Sequence, residues 1–231
     1  MQVGVPGIRR LCVGVDLKRY SGWTTPQQIQ AQRGLDEMLT VMWERAGIDR
    51  QLCARLPGGD GEFLLLPPGI DEPAVVAALI TRTRLTIAEA NLRQEALPDG
   101  VRLRVRMAMH EGVSHHAELG YAGQVVVALR RMLDSAPLRR ALDSDPGLVL
   151  AVAMSDPVFQ DSVAQQYEGL DPERFHTVRL EDPAHGFDLD VWIHVPGDDR
   201  APTDTADPRA FSQIQGVPGF ATPADDEDDQ R

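Results

Sequence analysis

The stretch RLPGGDGEFLLLP, residues 55–67, constrains the fold more tightly than any other in the chain. Three glycines and an aspartate separate two apolar runs that are too short for helices. Gly and Asp tolerate the positive φ of a tight reversal, so the segment reads as a β-hairpin with Gly58, Gly59, Asp60 and Gly61 at its apex. Helical patterns flank it. Upstream, Ala31, Leu35, Met38, Leu39, Met42 and Ala46 recur at helical spacing. Thr25 reads as the N-cap of that helix, with Pro26 in the first helical position, Gln28 completing a capping box and Gly47 closing it. Downstream, Pro67, Pro68 and Gly69 stop the hairpin, and a second long helix is expected over about 72–96.

A hairpin framed by two helices needs strands outside both. Residues 9–17, RRLCVGVDL, are an apolar run ending in Asp16 and read as a buried strand. Residues 101–109 alternate strictly: Val101, Leu103, Val105, Met107 and Met109 on one side, Arg102, Arg104 and Arg106 on the other. The order becomes β-α-β-β-α-β, the ferredoxin-like unit. After a loop over 110–122, the pattern predicts a helix over 123–135, a short one over 137–143 and a buried strand over 147–154. A short helix capped by Ser155 and an antiparallel strand pair near 174–181 and 187–195 complete it. The fold class is α/β, in its α+β form: a ferredoxin-like core with an added C-terminal helix and strand pair. Residues 1–8 read as an N-terminal extension and 9–197 as one domain. From 198 the chain is Pro-, Asp- and Ala-rich without periodicity, which predicts a disordered acidic tail over 198–231.

Charge and composition exclude some functions. The 231 residues are 42% hydrophobic and 25% charged, enough for one substantial core. Of the net charge of −12, the segment from Asp198 to Arg231 carries −6, so the domain itself is only mildly acidic. No Lys- or Arg-rich run supports binding to a long nucleic acid, and Lys18 is the only lysine. No apolar run is long enough for a membrane span, and the N-terminal stretch reads as a strand rather than a signal peptide. Cys12 and Cys53 read as small hydrophobes of a reducing compartment, so a cytoplasmic location is expected.

The ferredoxin-like topology lays the first strand beside the hairpin, so Asp16 approaches Asp60. Two close carboxylates repel unless a cation joins them, and hard divalent ions bind through one or two carboxylates plus phosphate oxygens. Taken alone, Asp16 reads as a strand-end cap and Asp60 as a turn residue, since Asp is common at turns. The loop over 17–21 leads to a helix start whose free N–H groups suit phosphates.

Four segments, VGVDLKRYS, GGDGEFLLL, VRLRVRMAMHEGV and GYAGQVVVALRRMLDSAPLRRAL, together resemble the class III adenylate and guanylate cyclase catalytic domain, in a divergent bacterial form. The resemblance covers about residues 9–197. Asp16, Leu17, Tyr20 and Ser21 match its aspartate-hydrophobe-x-x-aromatic-Ser/Thr motif, and Gly59 with Asp60 match its hairpin Gly-Asp. The resemblance implies a nucleoside triphosphate substrate and two Mg²⁺ or Mn²⁺ ions held by Asp16, Asp60 and the Leu17 carbonyl. It implies a homodimer in which one subunit gives the metals and the other the arginine. Arg131 falls on the transition-state arginine, while Val127 stands where the family has a ribose-orienting asparagine. The base-reading positions fall on Leu56, with Arg55 one step before, and on Gly120, so the base, purine or pyrimidine, is left open. A regulatory protein partner is a further expectation. The second function class is a cyclase-fold module without turnover that binds a nucleotide or a partner protein. GGDGEF also resembles the diguanylate cyclase signature, but Gly61 splits Asp60 from Glu62, and the GYAG…RRM segment has no place there.

Other clusters have plainer readings. His110, His115 and His116 lack zinc-site spacing and read as loop histidines. The Arg102, Arg104 and Arg106 strip reads as a strand face exposed to solvent or paired with acids.

Overall fold

The computed structural model describes residues 6–118, 120–167, 169–182 and 186–197. The acidic tail and most of the N-terminal extension lie outside them. Strand β1 (Ile8–Leu17) leads into helix α1 (Thr25–Arg45), then into the hairpin β2 (Ala54–Pro57) and β3 (Gly61–Leu65). Helix α2 (Glu72–Glu95) crosses to β4 (Val105–Ala117). Next come β5 (Gly120–Ala122), α3 (Gln124–Asp134), α4 (Ala136–Asp143), β6 (Leu150–Ser155) and the one-turn α5 (Asp156–Val158). The antiparallel pair β7 (His176–Asp182) and β8 (Phe187–His194) closes the domain. Among the described residues the sheet runs β2-β3-β1-β4-β6-β8-β7, and β5 folds back on the far end of β4. Within it, β2-β3-β1-β4 is the ferredoxin-like order, every neighbour antiparallel. The mixed α+β class and the added C-terminal pair are as the sequence predicts.

Period two divides each central strand between two layers. Leu11, Val13, Val15 and Leu17 of β1 join Leu64, Met107, Met109 and Val152 against α1 and α2. Cys12 of the same strand joins Leu65, Ala108, Ala151 and Ala153 against Val125, Leu129, Met132 and Leu133 of α3 and Leu138 and Leu142 of α4. Each fully buried Leu or Met contributes roughly 1.5–3 kcal/mol, so the two layers together hold the sheet between two helix pairs.

Several boundaries differ from the sequence reading. The N-cap of α1 is Thr24, not Thr25, and its capping box uses Gln27 rather than Gln28; Pro26 still lies in the first turn. The TTPQQ repeat offers two registers one residue apart, and the sequence does not separate them. Strand β4 begins at Val105, not 101. The buried Asn91 side chain takes Leu103: its amide donates to the Leu103 carbonyl (3.0 Å) and its oxygen accepts from the Leu103 N–H (2.6 Å). Those backbone groups are therefore lost to a sheet ladder. At its other end β4 runs on to Ala117 and pairs with β5, so 110–117 and 120–122 are strand rather than loop. Cys53 lies just before β2.

Candidate active site

Asp16 sits on the α3–α4 side of β1, where its strand partners are Gly61 in β3 and Arg106 in β4. The hairpin comes against β1 closely because Gly61 has no side chain: a Cβ there would lie 1.9 Å from the Val15 carbonyl oxygen. The Leu17 N–H donates to the Asp60 carbonyl at 2.7 Å, fastening the hairpin tip to the end of β1. Asp16, near the end of β1, thus lies beside Asp60 in the turn just before β3, as the topology argument requires. Burial pushes the Asp16 carboxyl up to about 6, Arg106 pulls the other way, and the Asp60 charge adds to the rise.

Arg106 is the residue the sequence reading passed over. Its Nε donates to Asp16 Oδ1 and its second guanidinium nitrogen to Oδ2, both at 2.8 Å. The pair is nearly dry, with side chains 11% and 8% exposed. The remaining guanidinium nitrogen donates to the Leu133 carbonyl at 3.2 Å, near the C-terminal end of α3. A planar fork of this kind neutralises a buried carboxylate and fixes its orientation. The alternation of VRLRVRMAM already showed Arg106 on a polar face. Its partner was invisible because register between strands 90 residues apart is tertiary.

The other two arginines of that strip have different work. Arg102 donates to the Pro146 and Gly147 carbonyls, at 3.2 and 2.9 Å. Arg104 donates to the carbonyls of Leu142, Asp145 (2.9 Å) and Leu148 (2.7 Å), closing the C-terminal end of α4. Only Arg106 of the three meets an acid here.

The remaining predicted residues divide. Tyr20 is held by glutamines on successive turns of α1: Gln28 donates to its carbonyl (3.3 Å) and Gln32 to its hydroxyl (2.6 Å). Ser21 is exposed in the same short turn. Gly59 lies at the hairpin tip, and its carbonyl also accepts from Gln32, at 2.9 Å. Arg55 points elsewhere. It meets Glu62 at 3.1 Å, beside the fork that Arg50 makes on both Glu62 oxygens, so it is committed to a structural acid rather than to a ligand. Leu56 and Gly120, far apart in sequence, come together: a Cβ on Gly120 would lie 2.8 Å from Leu56 Cδ2. Their common surface offers no side-chain hydrogen bond. Arg131, at the end of α3, stacks over the Phe187 ring 4.6 Å from its centre and lies 3.8 Å from Asp182. Val127 is exposed on the same helix. The predicted site residues therefore form one group, Asp16, Leu17, Tyr20, Ser21, Gly59 and Asp60, with Arg131 held by the strand pair and Arg55 apart.

The histidines read as loop residues are strand residues. His110 stands opposite Cys12 in β1, and burial depresses its pKa to about 4. Burial also pushes the Cys12 thiol up to about 12, so the two are a neutral pair rather than an activated thiolate. His116 packs edge-on against Tyr121. Among the described residues no group of three or more His, Cys, Asp or Glu side chains is placed to hold a metal ion.

Two carboxylates suit a hard divalent cation that draws its other ligands from phosphate oxygens and water. A buried Asp16 beside a half-buried Asp60 at the hairpin tip fits that chemistry. Arg106 is the cation that now meets Asp16, so an ion reaching those oxygens has to displace its fork.

Among the described residues no helix is long and apolar enough to cross a membrane. No protein-family model and no curated protein matches the sequence. Solved structures do match. The guanylyl cyclase Cya2 superposes with a TM-score of 0.58 at 13% identity, over 85% of this chain and 97% of that one. The adenylyl cyclase CyaB from P. aeruginosa gives 0.57 at 12% identity, over 86% and 100%. A bacterial light-regulated adenylyl cyclase gives 0.58 at 13% identity, over 92% of this chain and 58% of that one. The architecture that places Asp16 beside the Gly59–Asp60 tip is thus the class III adenylyl and guanylyl cyclase catalytic fold.

Proposed function

We propose that the protein is a nucleotidyl cyclase that converts a nucleoside triphosphate to a 3′,5′-cyclic nucleotide and pyrophosphate. One observation carries the reading: within a cyclase fold, Asp16 and Asp60 sit at adjacent ends of β1 and the hairpin, tied by the Leu17–Asp60 backbone bond. Asp16, Asp60 and the Leu17 carbonyl would hold two Mg²⁺ or Mn²⁺ ions. When bound, such ions supply acidity to the 3′-hydroxyl and charge neutralisation at the α-phosphate. The turn at Tyr20 and Ser21, followed by the α1 N-terminus, presents backbone N–H groups toward the triphosphate. Arg131 supplies positive charge to the pentacovalent phosphorus from a second subunit of a homodimer. Within its own subunit Arg131 stacks on Phe187 and lies near Asp182. The contact between Leu56 and Gly120 leaves the base unassigned.

A second reading has its own observations. Val127 has no polar group to orient a ribose, and the Asp16 oxygens are both taken by Arg106. These favour a module that binds a nucleotide or a regulatory partner without turning over. Incubation of the purified protein with ATP, GTP, CTP and UTP in Mn²⁺, with product identification by mass spectrometry, separates the two. A cyclic mononucleotide from wild type, reduced at least ~100-fold in Asp60→Ala, is expected for the enzyme. Absence of product from all four nucleotides, at a concentration where the protein is dimeric, assigns the binding module.

A further inference from the structure

Gln32 lies on α1, outside every motif considered above, yet its one amide nitrogen reaches two different loops. It donates to the Tyr20 hydroxyl at 2.6 Å and to the Gly59 carbonyl at 2.9 Å. Tyr20 belongs to the loop that follows Asp16, and Gly59 immediately precedes Asp60. One turn earlier on the same helix face, Gln28 donates to the Tyr20 carbonyl at 3.3 Å. The Gly59 Cα stands close under the tyrosine ring: a Cβ there would lie 3.7 Å from Tyr20 Cε1.

The loop being held is a strained one. Arg19 adopts φ 67°, the left-handed region, although it is not glycine. A side chain there costs of order 1 kcal/mol, and such a conformation persists where neighbouring bonds over-determine it. Gln28, Gln32 and the edge-on Tyr20–Trp23 contact, centroids 6.1 Å apart, supply that determination. The Leu17–Asp60 bond fixes the hairpin tip from the β1 side only. Without Gln32 the tip keeps that bond and the turn's own Gly58 N–H to Gly61 carbonyl bond (2.7 Å), neither of which ties it to α1 or to the Tyr20 loop.

We infer that Gln32 is a positioning residue: by bonding the Tyr20 hydroxyl and the Gly59 carbonyl at once, it sets the placement of the Asp60 carboxylate relative to Asp16. It rests on the metal-binding reading above for its functional consequence, but not for the clamp itself. The amide is required, because a carboxylate of the same shape has no proton to give the Gly59 carbonyl.

The test compares wild type with Gln32→Glu, Gln32→Leu and Tyr20→Phe. Hydrogen exchange over 18–22 and 58–61 reads the clamp. Binding of Mn²⁺ alone, followed by the loss of the free-ion electron paramagnetic resonance signal, reads the site, with Asp60→Ala as reference. Gln32→Leu is expected to speed exchange in both loops by about 3–10-fold, the loss of one ordinary hydrogen bond or slightly more. Gln32→Glu is expected to weaken Mn²⁺ binding by a similar factor, while the melting temperature stays close to wild type. Tyr20→Phe should reproduce part of the effect and add little to Gln32→Leu, since the bond it removes is one of the two that Gln32→Leu already removes. Unchanged exchange in either loop of Gln32→Leu overturns the clamp. Faster exchange with Mn²⁺ affinity unchanged in Gln32→Glu, while Asp60→Ala loses it, overturns the positioning role and leaves the metal reading standing. Wild type that takes up no Mn²⁺, or an Asp60→Ala variant that binds like wild type, overturns the metal reading and the functional consequence together; exchange still decides the clamp.

Discussion

The two faces of β1 differ by one residue in register and by almost everything in chemistry. Leu11, Val13, Val15 and Leu17 enter an aliphatic layer under α1 and α2. Cys12, Gly14 and Asp16 look the other way, into a layer that contains a neutral His110, a glycine under Leu133 and a buried ion pair. The first face pays no penalty for burial and can spend its packing on stability. The second buries charge, which rarely stabilises a fold and is costly to disturb. Adjacent residues of one strand thus divide cohesion from chemistry.

That contrast can be broken most sharply at Arg106. In Arg106→Ala, the Asp16 carboxylate is left buried without a partner, and a loss of about 3–5 kcal/mol is expected from urea unfolding at pH 8. The deficit should shrink toward acid. Asp16 already titrates at about 6, and without its guanidinium its pKa rises further, so protonation neutralises it early. A loss that is the same at pH 5 and pH 8 would show that the ion pair is not what Arg106 contributes.

The aliphatic face gives a loss of another kind. Leu64→Ala empties a fully buried site between β3 and the helices and should cost roughly 3 kcal/mol. That cost should not vary with pH, and the activity of the molecules still folded should be unchanged. Lost activity per folded molecule would show that the two faces are coupled through the strand.

A third effect, visible only as a dependence on pH, is expected at His110. Its folded-state pKa is depressed to about 4, so the unfolded chain binds its proton first as pH falls. Stability should therefore decline from about pH 6.5 down to about pH 4 and level off below. His110→Gln should remove that slope; a slope that survives belongs to the carboxylates instead.

Much of the fold was legible because it is written locally. The Gly-rich apex of 58–61 is a turn in almost any context, and the alternation of 105–109 is a strand wherever it is buried. The ferredoxin-like order followed from those elements and short connections. Where local signals tied, as between Thr24 and Thr25 for the α1 N-cap, the choice went to packing. Where a distant side chain took over backbone groups, as Asn91 does at Leu103, the alternation over 101–104 suggested a strand that does not form. His115 and His116 read as loop because β5, three residues long, is too short to leave a pattern.

By itself, then, the sequence determined most of the elements and the hairpin apex, because turn chemistry and period two act between neighbours. Only the tertiary structure decided what meets them. It set Arg106 on Asp16, Gln32 between Tyr20 and Gly59, Leu56 against Gly120 and Arg131 on Phe187. Each of these contacts joins residues well separated along the chain. Their geometry depends on strand register and helix placement, which the packing of the whole core fixes and no local pattern records.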